Sequence, residues 1–420
     1  MKRLIFILFI PFVCGVLCAQ EPALQLSLKD AEAIFLERNL SLIAERYQVD
    51  MAQVQVTQAR LFENPVISLE QNVYNRLNGK YFDFGKEGEA TAEIEQVIHL
   101  AGQRNRRVKL EKVNREIAEY QFEEVLRTLR SELHKTFVEL SFATRSVGIY
   151  DREIESLARL LQTLKEQQEK GNVSLLERSR MEALLLSLRK EKNGLEDELV
   201  NLRGELNLLL NLPAGQKVEL LLDDGILKQV DLSALSFAEM GEWLAMRPDL
   251  KMARAGVAAA ESNLKLQRSL AAPEFSVKGM YDRAGNFIDN YFAVGVSLSL
   301  PVFNRNQGNI RSAKLEIQQN GREEEYAMEK ARTELYSAYS RLQKAVELYR
   351  SSNDELEHNF ARLIGGVNEN FRQRNIGMLE FIDYYESYKE TCLQLYELRK
   401  DVFLAMEHLN TIVGQTVFNY

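Results

Sequence analysis

The second half of this 420-residue chain repeats the first, and a repeat fixes the unit of folding before any single motif is weighed. Leu61-Phe62-Glu63-Asn64-Pro65-Val66-Ile67-Ser68 runs parallel to Leu270-Ala271-Ala272-Pro273-Glu274-Phe275-Ser276. Pro65 and Pro273 thus lie 208 residues apart, as do Ser68 and Ser276. Later, Val173-Ser174-Leu175-Leu176-Glu177 matches Ile376-Gly377-Met378-Leu379-Glu380 at an offset of 203, and Leu206 and Leu210 match Leu409 and Val413. The expected division is an export signal over 1–19, a first unit over 20–212, a linker over 213–232 and a second unit over 233–420.

Each unit opens with a helical stretch, 27–62 and 236–271. Ser27 with Asp30 and Ser236 with Glu239 form capping-box patterns, in which the hydroxyl accepts from an unpaired N–H and the acid reaches back to the cap. Pro65 and Pro273 then end the helices and introduce alternating stretches. Phe275, Val277, Gly279 and Tyr281 oppose Glu274, Ser276, Lys278 and Asp282. Phe292, Val294, Val296, Leu298 and Leu300 oppose Ala293, Gly295, Ser297 and Ser299. In the first unit Ile67, Leu69 and Val73 alternate with Ser68, Glu70 and Asn72, and 91–98 forms a weaker partner. Polar stretches rich in Gly and Asn, 75–89 and 282–290, join the strands of each pair.

Long helices follow. The apolar residues step by three and four through Leu110, Val113 and Ile117, and again from Leu126 through Leu129, Leu133, Phe137 and Leu140 and on to Leu164. That is heptad spacing with a local stutter. The spacing predicts one helix over 102–169, about 100 Å long at 1.5 Å per residue, and a return helix over 174–212. The second unit predicts helices over 308–371 and 377–413.

At the N-terminus Lys2 and Arg3 precede a short apolar run, 4–13, which reads as a secretory signal cleaved near Cys18 or Ala19. Leu17 stands where a lipoprotein signal wants a small residue. With Cys14 and Cys18 in the signal, only Cys392 remains and no disulfide is expected within the mature chain. The net charge of −8 and the lack of a basic stripe argue against nucleic acid as a partner. No later apolar run reaches the roughly 20 residues of a spanning helix. Any membrane crossing must therefore use β-strands. Four strands cannot close a barrel, which takes about 8. Their edges would leave backbone groups unpaired in lipid, each at a cost of several kcal/mol. Three copies, giving twelve strands, remove the edges.

The junction Leu300-Pro301-Val302-Phe303-Asn304-Arg305-Asn306-Gln307-Gly308-Asn309 resembles that of TolC-like outer-membrane efflux proteins, closest to the heavy-metal efflux (CzcC-like) branch. Val97-Ile98-His99-Leu100-Ala101-Gly102-Gln103-Arg104 is its degraded partner in the first unit, lacking the proline and carrying His99 in place of Phe303. The resemblance covers nearly the whole mature chain. It implies a mainly α-helical homotrimer with a twelve-stranded outer-membrane β-barrel and a coiled-coil tunnel in the periplasm. It also implies docking to a periplasmic adaptor and, through it, to an inner-membrane pump of the RND type. The chain would be a passive conduit, without catalysis or cofactor.

Within that resemblance Val173, Ser174, Leu175, Ile376, Gly377 and Met378 form the tips that meet the adaptor, although tight helical turns alone would also explain them. Asp383 and Glu386 would line a tunnel constriction, where three-fold symmetry brings like charges together and favours a cation. Arg180 occupies the first-unit position equivalent to Asp383 and is a candidate partner for it. Glu70, Glu93, Glu95, Glu274 and Lys278 fall on the polar strand faces, which should point into the lumen. No metal site is expected: His99, His134, His358 and His408 show no close spacing, Cys392 has no partner, and Met240, Met246 and Met252 suit helix interiors. No phosphate loop, nucleophile elbow or paired-acid motif supports an enzyme. A purely structural periplasmic coiled-coil protein would explain the heptads but not the matched strand pairs. A multidrug or type I secretion duct would share every feature except the junction preference.

Overall fold

The computed structural model describes residues 24–232, 235–284, 288–352 and 355–420, the side chains of 355–361 excepted. The expected signal, 1–19, lies outside the described residues. In chain order the elements are β1 (Leu24–Ser27), α1 (Leu28–Arg38), α2 (Leu40–Gln58), β2 (Val66–Gln71), β3 (Tyr74–Asn75), β4 (Lys80–Tyr81), β5 (Ala90–His99), α3 (Gln103–Glu169) and α4 (Leu175–Leu209). They continue with β6 (Val218–Leu221), α5 (Phe237–Trp243), α6 (Pro248–Ser269), β7 (Glu274–Asp282), β8 (Tyr291–Ser299), α7 (Gln307–Ser351), α8 (Glu355–Arg372) and α9 (Met378–Val413).

The two opening helices are each broken, where the periodicity predicts single ones. In the first unit α1 ends at Asn39, whose side-chain oxygen accepts from Leu42 N–H at 2.9 Å and starts α2. In the second, a 3₁₀ turn over Leu244–Met246 leads to Arg247, and Pro248 begins α6. Proline suits that first position because its missing N–H would be unpaired there anyway. Of the two expected capping boxes, Ser27–Asp30 forms, whereas Ser236 caps α5 without a side-chain bond.

The four long strands make one antiparallel sheet in the order β2-β5-β7-β8, so the hairpins of the two units meet along β5 and β7. The register places Glu70, Glu93, Glu95, Lys278 and Glu274 on one face. The other face carries Ile67, Leu69, Ile94, Ile98, Val277, Val294 and Val296, and most of it is open: Leu69 is 77% and Val294 84% exposed. Among the described residues β2 and β8 are free edges. Val73, expected on the apolar strand face, falls outside β2. The loop after it contains the small hairpin β3–β4, held by Asp83, which accepts from Asn75, Asn78 and Gly85 N–H.

Helix α3 runs unbroken for 67 residues. Its heptad residues are buried in two clusters: Leu133, Phe137 and Leu140 with Phe35 of α1, Leu42 of α2 and Leu206 of α4, and Leu157, Leu161 and Leu164 with Met181 of α4 and Phe381 of α9. The matching helix of the second unit is interrupted, contrary to the expected 308–371. Ser351 and Ser352 hydroxyls bond the carbonyls of Leu348 and Tyr349, and Ser352 turns extended. Serine side chains compete with the helical ladder in this way. Residues 213–232 are more than a connection. β6 pairs in parallel with β1, and Leu227 and Val230 enter a core with Met240, Leu244, Val402 and Phe403.

Candidate functional site: the helical tips and the polar sheet face

Both helical hairpins turn by one device. After α3, Gly171 N–H bonds Gln168 C=O at 2.8 Å and Asn172 N–H bonds Gln167 C=O at 2.9 Å. After α8, Arg374 N–H bonds Phe371 C=O at 3.1 Å and Asn375 N–H bonds Asn370 C=O at 2.8 Å. These paired bonds are a Schellman closure, which needs a left-handed residue just past the helix. Gly171 supplies it at φ 74°, and Arg374 does so at φ 62°, a region that costs a residue with a Cβ about 1–2 kcal/mol. The Arg374 guanidinium donates to Asn172 C=O and ties the second tip to the first.

The return helices then begin. Ser174 and Glu177 form the expected capping box: Glu177 accepts from Ser174 N–H at 2.8 Å, and Glu177 N–H donates to Ser174 Oγ at 3.2 Å. The Ser174 N–H and the Ser174 hydroxyl, both donating to the Glu177 carboxylate and helped by the Arg374 charge, hold that carboxyl below its ordinary range. Gly377 caps α9 with no side chain to bond. Of the expected tip residues, Leu175, Ser174 and Gly377 are exposed, Val173 and Ile376 half-buried, and Met378 buried. Met378 belongs to a core of Leu157, Leu164, Met181 and Phe381 that holds the two hairpins side by side. A cavity of ≈740 Å³ separates the turns, lined by Gln167, Asn172, Glu177 and Arg374 among others.

Asp383 and Glu386 are exposed on α9 and Arg180 is exposed on α4. Among the described residues none of the three has an ion-pair partner, so the Arg180–Asp383 contact does not form within one chain. On the sheet, Lys278 reaches Glu93 at 3.0 Å and Glu95 at 3.2 Å, leaving Glu70 and Glu274 to give the polar face its acidic balance. No group of three or more His, Cys, Asp or Glu is placed to hold a metal among the described residues. His358 lies where side chains are not described.

Two titratable groups, the half-buried His134 and the buried Glu153, were not singled out by sequence spacing. His134 sits between Glu32 (2.7 Å) and Glu407 (2.8 Å). Burial alone would depress its imidazole, but the two carboxylates outweigh that and lift it to about 9. Glu153, 3% exposed, has no hydrogen-bond partner on either oxygen among the described residues, and burial pushes it up to about 7 against the pull of Lys389. Glu153 directly precedes the heptad residue Ile154 and the spacing does not mark it; nothing local marks His134 either, whose partners lie 102 and 273 residues away.

Residues 34–212 and 240–361 match the family described as outer membrane efflux protein. The cobalt-zinc-cadmium resistance protein CzcC of Cupriavidus metallidurans is 23% identical over 94% of this chain and 88% of its own length. The pyoverdine export outer membrane protein OpmQ of Pseudomonas putida is 24% identical over 52% of this chain, a match spanning just under half of OpmQ. Among solved structures, CusC superposes with a TM-score of 0.74 at 19% identity over 92% of both chains. The Campylobacter jejuni CmeC outer membrane channel does so with a TM-score of 0.76 at 14% identity over 93% of this chain and 87% of that one. The mainly helical chain with its small sheet thus has the fold of TolC-like channels. It is a transport protein rather than an enzyme. More than half of its length matches one family, and the chain belongs to the outer membrane efflux proteins.

Proposed function

We propose that this chain is one third of an outer-membrane exit duct in a tripartite efflux system, with heavy-metal cations as cargo. The observation that carries the channel reading is the open four-stranded sheet, apolar on one face, acidic on the other and unpaired along β2 and β8. Joining β8 of one copy to β2 of the next closes twelve strands and satisfies both edges. The apolar face then meets lipid and the acidic face lines the lumen. The helices project into the periplasm. There Val173, Ser174, Leu175, Ile376, Gly377 and Met378 meet an adaptor coupled to an inner-membrane pump of the RND type. Asp383 and Glu386 narrow the tunnel just inside those tips, and in the trimer Arg180 of one copy can face Asp383 of another.

The metal reading is supported by the near full-length likeness to CzcC. The partial likeness to OpmQ favours a second reading, export of small organic molecules through the same duct. The test is tolerance of a strain deleted for this gene to zinc, cobalt, cadmium, copper, silver and nickel, beside detergents and dyes. Sensitivity confined to one or two metals and restored by the intact gene is expected. Sensitivity to detergents and dyes with normal metal tolerance would move the cargo to organic molecules.

A further inference from the structure

At the first strand-to-helix junction the apolar sheet face ends in a patch of unbalanced positive charge. Ile98, the last residue of that face on β5, joins Leu61 and Phe62 in lining a cavity of ≈580 Å³. Arg104 and Arg107 line it as well. The Arg104 guanidinium lies 3.9 Å from the centre of the Phe62 ring and donates to Arg60 C=O at 3.4 Å. Arg60 and Arg107 are exposed. Among the described residues none of these three arginines has a carboxylate within ion-pair distance.

Several cations elsewhere on the helices do have such a partner, as in Arg115–Glu119, Arg159–Glu155, Arg322–Glu325 and Arg332–Glu329. Glu63, the acid in the cavity wall, faces His99 at 3.4 Å. The second junction shows the same pairing of apolar and cationic groups. Phe303 is 93% exposed, and Arg305, two residues on, is exposed and has no ion pair among the described residues.

A guanidinium plane matches two phosphate oxygens at once, and stacking on an aromatic ring holds that plane in place. A free anion in water would need only the arginines. The apolar wall of Leu61, Phe62 and Ile98 adds a surface suited to glycerol and the first carbons of an acyl chain. We propose that the cavity bounded by Phe62, Ile98, Arg104 and Arg107 binds the phosphodiester headgroup of an anionic phospholipid, in the leaflet on the helical side of the membrane. The proposal rests on the reading of the apolar sheet face as lipid-facing.

The test uses the full-length protein in detergent. Binding of phosphatidylglycerol, phosphatidylcholine and inorganic phosphate is followed by native mass spectrometry. Phosphatidylglycerol should bind in preference to both others. R107Q, which removes an exposed group, should weaken it about fivefold, and R104Q with R107Q about thirtyfold. R322Q, with helical circular dichroism as the fold control, should leave it unchanged. Equal binding of phosphatidylglycerol and phosphatidylcholine, insensitive to R107Q, would reduce the site to bulk apolar surface and overturn the proposal. Inorganic phosphate matching the lipid would overturn it in favour of a free-anion site. Insertion into phosphatidylcholine vesicles, scored by resistance to alkaline carbonate extraction, reads the barrel separately. Failure there sinks the lipid-facing sheet, whereas normal insertion without lipid preference sinks only the headgroup site.

Discussion

The side-chain amide of Asn39 donates to the main-chain carbonyl of Leu209 at 2.9 Å, fastening the break between α1 and α2 to the end of α4. The repeat does the same with different chemistry. Arg247, 208 residues on, donates to Ile412 C=O at 3.2 Å near the end of α9. Arg247 also binds Asp249 at 2.7 Å and Glu334 at 3.1 Å while only 4% exposed. Removing it takes the buried cation from Asp249 and leaves Glu334 only Lys330 at 3.8 Å, so R247M should cost about 3 kcal/mol. N39A, which loses a cap and one buried bond, should cost about 1–2 kcal/mol. Urea unfolding followed by circular dichroism ranks them; equal costs would mean that the Arg247 ion pairs add nothing.

His134 makes stability pH-dependent. Its folded value of about 9 exceeds the ordinary 6.5, so its contribution is complete below about 6.5 and is lost as pH rises through about 9. The shift corresponds to about 3 kcal/mol. The unfolding midpoint should fall across that window, and H134Q should remove most of the slope. A wild-type slope retained in H134Q would assign it to another group.

Glu153 acts in the same direction through desolvation. With its folded value raised from 4.5 to about 7, the native state is penalised progressively as pH climbs between those values, and fully above them. E153Q should therefore stabilise the protein by about 2–3 kcal/mol at pH 8 and change little at pH 4. Destabilisation at pH 8 would reveal a partner for the carboxylate.

Arg374 combines strain with a useful bond. R374A keeps the left-handed strain and loses the bond to Asn172, whereas R374G loses both. R374G should be the more stable of the two by about 1 kcal/mol. Both should speed amide hydrogen exchange in the first tip, around Asn172, measured by mass spectrometry. Unchanged exchange would show that the two tips are independent.

If Asp383 and Glu386 form the constriction, replacing both with alanine should raise single-channel conductance in planar bilayers and weaken cation preference. Conductance equal to wild type would remove these residues from the gate.

Much of this architecture is local, and local patterns are legible. A period of two placed Glu70, Glu93, Glu95, Glu274 and Lys278 on one sheet face, because alternate side chains of a strand must point to opposite sides. Ser174 and Glu177 announced the start of α4 because a capping box spans only four residues. Heptad steps announced α3, and the repeat announced that the second unit would follow the first.

What crosses between elements was decided by the tertiary structure. The order β2-β5-β7-β8, the recruitment of 213–232 into the core, the meeting of His134 with Glu32 and Glu407, and the tie from Arg374 to Asn172 all join residues far apart in the chain. An α-helix drifts about 20° per heptad relative to an ideal 3.5-residue repeat. Over the 67 residues of α3 that drift carries a side chain past several neighbours. Spacing fixes which residues of α3 are apolar, but only packing fixes which helix each polar one meets.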